Sequence, residues 1–114
     1  MRAKTMVYSE EQVPNLQGKV VLITGANTGI GFETARIFAG KNSRVLLGCR
    51  SETKAQLAIS RIRDIHPQAD LTWLPLDLAD LNSIRAAASV AEESQLDILI
   101  NNAGLGRGHD GFFS

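Results

Sequence analysis

Gly25, Gly29 and Gly31 punctuate the segment Thr-Gly-Ala-Asn-Thr-Gly-Ile-Gly, residues 24–31, which directly follows the apolar run Val20, Val21, Leu22 and Ile23. Glycine lets the backbone approach a ligand with no Cβ in the way, and the free N–H groups of a helix start carry roughly half a positive charge. A strand that breaks into glycines and resumes as a helix can therefore cradle phosphate. The spacing is G-x-x-x-G-x-G, not the G-x-G-x-x-G of the general dinucleotide fingerprint, and a loop that merely needs positive φ would also use glycine. The flanks argue against that plainer reading: a β-branched strand precedes the glycines, and Ala35, Phe38 and Ala39 follow at i, i+3, i+4, the stripe of an amphipathic helix. The segment is expected to hold the pyrophosphate of a dinucleotide.

A second constellation bears on which dinucleotide. In a doubly wound sheet the end of the second strand faces the adenosine ribose; a carboxylate there accepts from the 2′-hydroxyl of NAD, whereas a cation pairs with the 2′-phosphate of NADP. Here that end reads Gly48-Cys49-Arg50-Ser51, without a carboxylate. Arg50 can make a bidentate guanidinium–phosphate contact, with the Ser51 hydroxyl and helix-start N–H groups beside it. The alternative is an ordinary solvated arginine at a loop start. NADP is expected over NAD.

These residues need a scaffold of alternating elements. Strand candidates at 20–24, 44–49, 71–76 and 96–101 are separated by helical patterns, which implies βαβ units and a parallel sheet covered on both faces. The second helix, about 52–65, shows Ala55, Ala58, Ile59 and Ile62 at i, i+3, i+4, i+7, with Ser51 as its cap and Pro67 beyond its end. The third, about 81–93, carries Leu81, Ile84, Ala88 and Ala91 on one side and Asp80 as cap candidate. Both stripes are expected to be core. The fold class is α/β, a partial Rossmann-type doubly wound sheet of about four strands and three crossover helices.

Taken together, these residues resemble the short-chain dehydrogenase/reductase family over about residues 17–104. Asn101, Asn102, Ala103 and Gly104 reproduce its N-N-A-G segment after the fourth strand, and Asp77 and Leu78 stand where the family places an acidic residue beside adenine. The stretch from Gly18 to Ala35, together with Gly48-Cys49-Arg50 and Leu76-Asp77-Leu78-Ala79, is similar to the retinol-dehydrogenase-like branch. The resemblance implies that Asn27, Thr28 and Ile30 line pyrophosphate and ribose, Asp77 and Leu78 flank adenine, and Asn101, Ala103 and Gly104 border the inner ribose. Asn27 and Thr28 also read as turn formers bonded to local backbone. The family's catalytic Tyr-x-x-x-Lys, serine and helix asparagine follow N-N-A-G; the only tyrosine here is Tyr8, with Gln12 four positions later. No catalytic residue is therefore assigned, and Asn101 and Asn102 are not promoted to one. The expectation is a cofactor-binding half that is inactive alone. Related full-length activity would be NADP-linked hydride transfer on an alcohol or carbonyl.

The chain divides into an extension (1–17), the partial dinucleotide-binding domain (18–104) and a glycine-rich tail (105–114). A shortened family loop and an unrelated tail from alternative splicing, frameshift or truncation both explain 105–114, and composition favours the second. Phe112 and Phe113 are candidates to patch apolar surface. With 114 residues and 44% hydrophobic content, one domain with a core is the most that fits. Zero formal charge without a basic stripe argues against nucleic acid. The lone Cys49 excludes an internal disulfide and suits a reducing compartment. His66 and His109 lie far apart with no ligand spacing, so no metal is assigned; they read as a helix-end and a loop residue.

The first 16 residues carry Arg2 and Lys4 but no apolar stretch behind them, so neither a signal peptide nor a membrane span is expected and the location is taken as cytoplasmic. This departs from the N-terminal anchor common in the retinol-dehydrogenase-like branch. The strand at 96–101 is expected to be an exposed edge, open to a full-length homologue or another protein. Three roles remain open: a truncated oxidoreductase, a non-catalytic NADP-binding or regulatory subunit, and a ligand-free scaffold.

Overall fold

β-branched and aliphatic runs bounded by helix caps fold here into alternating strands and helices. The computed structural model describes residues 10–27 and 29–102. After a short 3-10 turn at Glu10–Gln12, the chain forms β1 (Val20–Thr24), α1 (Gly29–Gly40), β2 (Arg44–Cys49), α2 (Glu52–Ile65), β3 (Asp70–Pro75), α3 (Leu81–Glu93) and β4 (Ile98–Asn101). All pairings are parallel and the strand order is β3-β2-β1-β4. The chain thus winds outward from β1 through β2 to β3, then returns through α3 to place β4 on the other side of β1. That reversal creates a switch point at the carboxyl ends of the strands, where ligands bind in open α/β sheets. Of the residues singled out from sequence, Tyr8, Thr28, Ala103, Gly104 and the 105–114 stretch with His109, Phe112 and Phe113 lie outside the described residues.

Strand side chains alternate between two cores. Val21, Ile23, Val45 and Leu47 pack with Ala35, Phe38, Ile59 and Ile62 of α1 and α2. Leu22, Leu46 and Leu74 face the other way and meet Ala87 and Ala91 of α3. Because β1 and β2 are buried on both sides, they read as continuous apolar runs instead of alternating ones.

The α2 stripe is core as expected: Ala55, Ala58, Ile59 and Ile62 are all buried. The α3 stripe is not. Leu81 and Ile84 are 59% and 36% exposed and Ala88 is exposed, while Ala87 joins Ala91 at the sheet. Periodicity identifies residues that share a side of a helix, but the small Ala87 and Ala91 allow the closest approach to the strands, so the helix turns that side inward. Among the described residues α3 is the only helix on its face, and Ile84 and Ala88 border an open apolar groove of about 570 Å³, shared with Leu22, Leu76 and Leu99.

Asp80 caps α3, its carboxylate accepting from the N–H of Asn82 at 2.9 Å and of Ser83 at 3.4 Å. Asp80→Ala should destabilise the fold by about 1 kcal/mol, the usual cost of a lost cap, read as a lowered urea midpoint at unchanged m-value.

β4 starts at Ile98, two residues later than expected from Leu96. Gln95 takes φ 59° to close the turn after α3. Asp97 then meets the start of β1 partly through its side chain: its N–H donates to Val20 O at 2.9 Å and its Oδ2 accepts from Val20 N–H at 2.8 Å. β3 sits one residue earlier than expected, at Asp70–Pro75. Among the described residues β4 pairs with β1 alone, so its outer edge is open. No described helix is long and apolar enough to cross a membrane.

Candidate functional site

The turn between β1 and α1 sits at the switch point. Gly25 and Gly29 adopt φ of 66° and 55°, the left-handed region that glycine enters without a Cβ penalty. Gly31 is required for a different reason. A Cβ there would overlap the carbonyl of Gly25, lying 2.7 Å from its carbon and 3.1 Å from the Cα of Ala26. α1 therefore begins directly against the backbone of the preceding turn. Gly29 and Ile30 are exposed at the helix start, and no acidic residue occupies the first turn of α1. The positive end of the helix is left for an anion.

Beside this turn lies a cleft of about 390 Å³ over the ends of β1, β2 and β3. Gly25 and Asn27 line it from the glycine turn, Arg50, Ser51 and Lys54 from the start of α2, and Asp77 and Leu78 from the loop after β3. Ser51 caps α2, its Oγ accepting from Lys54 N–H at 3.2 Å, and the hydroxyl proton is free to be donated. Arg50 and Lys54 are exposed, and neither forms an ion pair among the described residues. Asp77 is held by its own loop: its N–H donates to Ser83 Oγ at 2.8 Å, and its Oδ1 accepts from Ala79 N–H at 3.0 Å.

Asn101 takes another position. Its Oδ1 accepts from Thr24 Oγ1 at 2.7 Å, and that same Thr24 oxygen accepts from Asn102 N–H at 2.9 Å. This buried network ties β4 to β1, and Asn101 lines the groove beside α3, not the cleft. Of the residues expected from sequence, the structure thus gathers Gly25, Asn27, Arg50, Ser51, Asp77 and Leu78 around one cleft. Gly29, Ile30 and Gly31 form the adjoining helix start, and Asn101 is turned into the sheet.

The family model for short chain dehydrogenase matches residues 19–113. The chain belongs to the short-chain dehydrogenase family. The match takes in most of the glycine-rich stretch after Gly104. Among curated relatives of this chain, a short-chain dehydrogenase/reductase of Phomopsis amygdali is 45% identical over 107 residues, covering 90% of this chain and 32% of the relative. Retinol dehydrogenase 12 of Homo sapiens is 53% identical over 92 residues, covering 79% of this chain and 29% of the relative. The chain therefore spans about a third of the length of the curated relatives it matches.

Among solved structures, the NADPH-bound short chain oxidoreductase of Pseudomonas aeruginosa PAO1, described as containing an atypical catalytic center, superposes with a TM-score of 0.74 at 31% identity. That match covers 83% of this chain and 38% of the other. L-sorbose reductase of Gluconobacter frateurii, complexed with NADPH and L-sorbose, gives a TM-score of 0.71 at 28% identity over 82% of this chain and 36% of the other.

Lys54, which the sequence did not single out, also lines the cleft. It lies one helical turn after Arg50, so the i, i+4 spacing on a capped helix start was the available signal. The residues fit a dinucleotide on structural grounds alone. The glycine turn admits no Cβ at Gly31, and among the described residues the cations on one wall of the cleft form no ion pair and the buried Nδ2 of Asn102, at the end of β4, has no partner. His66 caps the opposite end of α2, and among the described residues no group of three or more His, Cys, Asp or Glu gathers.

Cys49 lines the cleft from the end of β2 yet is only 7% exposed. Its carbonyl accepts from the indole N–H of Trp73 at 3.0 Å. Burial pushes the thiol above the ordinary 9.0, with hydrogen bonds to the Ser51 backbone and Trp73 acting the other way. Because the fold prefers the neutral thiol, this contribution to stability is intact below pH 9.0 and is lost as pH rises through the higher folded value. Alkylation of Cys49 by iodoacetamide should be slower than that of a free cysteine at every pH below that value, and its rate should still be rising with pH above 9.0, where that of a free cysteine has levelled off.

Proposed function

We propose that this chain is the NADP-binding portion of a short-chain dehydrogenase/reductase of retinol-dehydrogenase-like type, an oxidoreductase passing hydride between NADP(H) and an alcohol or carbonyl. The observation that carries the cofactor choice is the wall of the cleft formed by Arg50, Ser51 and Lys54 at a helix start, with no carboxylate at the end of β2. In this reading Gly25, Asn27, Thr28, Gly29, Ile30 and Gly31 hold the pyrophosphate, Arg50, Ser51 and Lys54 the 2′-phosphate, and Asp77 and Leu78 the adenine. Ala103 and Gly104 border the inner ribose, and Asn101, tied to Thr24, holds the end of β4 beside them. The NADPH named in the two structural relatives supports the choice. Identity to human retinol dehydrogenase 12 supports a lipophilic alcohol or carbonyl, such as a retinoid or steroid, as the substrate class.

The bound cofactor supplies the hydride chemistry; residues 1–114 supply its grip and orientation. They contain no Tyr-x-x-x-Lys pair, and general acid–base groups contribute about 10²- to 10⁴-fold to such reactions. Residues 1–114 are therefore read as the part that holds NADP, with no acid–base pair for turnover among them. The open edge of β4 favours a second role, a non-catalytic NADP-binding subunit that pairs through this strand with a full-length homologue. The unpaired Cys49 is in keeping with a reducing, cytoplasmic setting.

Titration of the purified protein with NADPH and NADH tests the cofactor reading. Trp73, the only tryptophan, is bonded to Cys49 O at the cleft and reports occupancy by fluorescence quenching. NADPH should bind at least about tenfold more tightly than NADH, the worth of one charged hydrogen bond. Equal affinities would refute the choice of NADP, and folded protein that retains neither would refute dinucleotide binding altogether.

A further inference from the structure

The guanidinium carbon of Arg61, on α2, lies 4.3 Å from the centroid of the Phe32 ring on α1. Arg61 forms no ion pair among the described residues, so its charge is directed at the ring face. Phe32 follows Gly31 in the first turn of α1 and is itself buried. That turn rests on the carbonyl of Gly25 on one side, where no Cβ fits, and is held by Arg61 on the other. α1 and α2 also meet through Ala35, Phe38, Ile59 and Ile62 in their shared core, and the stack adds a link at the start of α1.

We propose that Arg61 is a positioning residue for the dinucleotide. By clamping Phe32 it fixes the start of α1, which faces the pyrophosphate, relative to α2, whose own start presents Ser51 and Lys54 to the 2′-phosphate. The inference rests on the NADP reading above and adds a requirement to it: the separation of the two phosphate subsites is set by a contact that touches neither.

The test compares NADPH, which needs both subsites, with 2′-AMP, which carries the 2′-phosphate but no diphosphate. Arg61→Ala should raise the Kd for NADPH by about threefold to fivefold, the range of an exposed cation–π contact. The Kd for 2′-AMP should stay unchanged, at a temperature where circular dichroism shows the variant fully folded. Arg61→Lys keeps a cation over the ring and should restore most of the NADPH affinity; Arg61→Met, which keeps the stem without charge, should not, and it serves as the readout if Arg61→Ala fails to fold. Unchanged NADPH affinity in both neutral variants overturns the inference, as does an equal loss for NADPH and 2′-AMP. Wild-type protein that binds 2′-AMP but not NADPH overturns the pyrophosphate reading first, and this inference with it.

Discussion

Gly31→Ala should raise the Kd for NADPH by about a hundredfold or more while leaving a folded, less stable protein. The added Cβ cannot be accommodated by a side-chain rotation, because what it meets is the Gly25 carbonyl and the Ala26 Cα. Either the turn opens or the start of α1 moves away. Overpacking of this kind costs about 1–3 kcal/mol, and each kcal/mol lowers the melting midpoint by about 4–8 °C in a domain of this size. The binding loss is larger because the helix-start N–H groups lose their aim together, and hydrogen bonds to a charged group contribute about 1.5–3 kcal/mol each. Gly18→Ala is the control. Gly18 also has positive φ, 85°, but it lies before the opposite end of β1 and a Cβ there meets nothing within 4 Å. It should cost stability alone. Calorimetric titration with parallel thermal melts checks both, and a Gly31→Ala protein that binds NADPH like wild type would remove the phosphate cradle from the account.

Arg50→Ala should weaken NADPH binding by about tenfold to a hundredfold while changing NADH little, since only the former carries the 2′-phosphate. Equal losses for both cofactors would refute the assignment. Lys54→Ala should show the same selectivity with a smaller loss, because an ammonium makes a point contact where a guanidinium makes a planar, two-pronged one. Both side chains are exposed, so the NADPH preference should shrink as salt is raised from low to physiological strength.

The parts of the fold legible in sequence were those with a local cause. Val20–Thr24 and Arg44–Cys49 are bounded by the turn residues beside them, and α2 and α3 begin where Ser51 and Asp80 cap them. The features that escaped depend on distant partners. Which side of α3 meets the sheet is decided by Leu22, Leu46 and Leu74, far away along the chain. The start of β4 is set by how Asp97 meets Val20 across the sheet. The site divides in the same way. Glycine spacing revealed the turn and the end of β2 revealed Arg50, but Asn101 turns toward Thr24 because β1 and β4 lie side by side, and no local pattern records that neighbour.

Among the described residues the sheet carries two helices on one face and only α3 on the other, joined to it through Ala87 and Ala91. Two methyl groups make a thin adhesive. Amide protons of α3 should therefore exchange with solvent sooner than those of Val21, Leu22, Val45 and Leu46, which sit mid-sheet under cover from both sides. Asp77 and Leu78 belong to the loop tethered to α3, so the wall proposed for adenine should move with that helix while the glycine wall stays still. In the proposed reading the pocket is a vice with one fixed jaw and one compliant jaw, and a nucleotide entering it should tighten the compliant one.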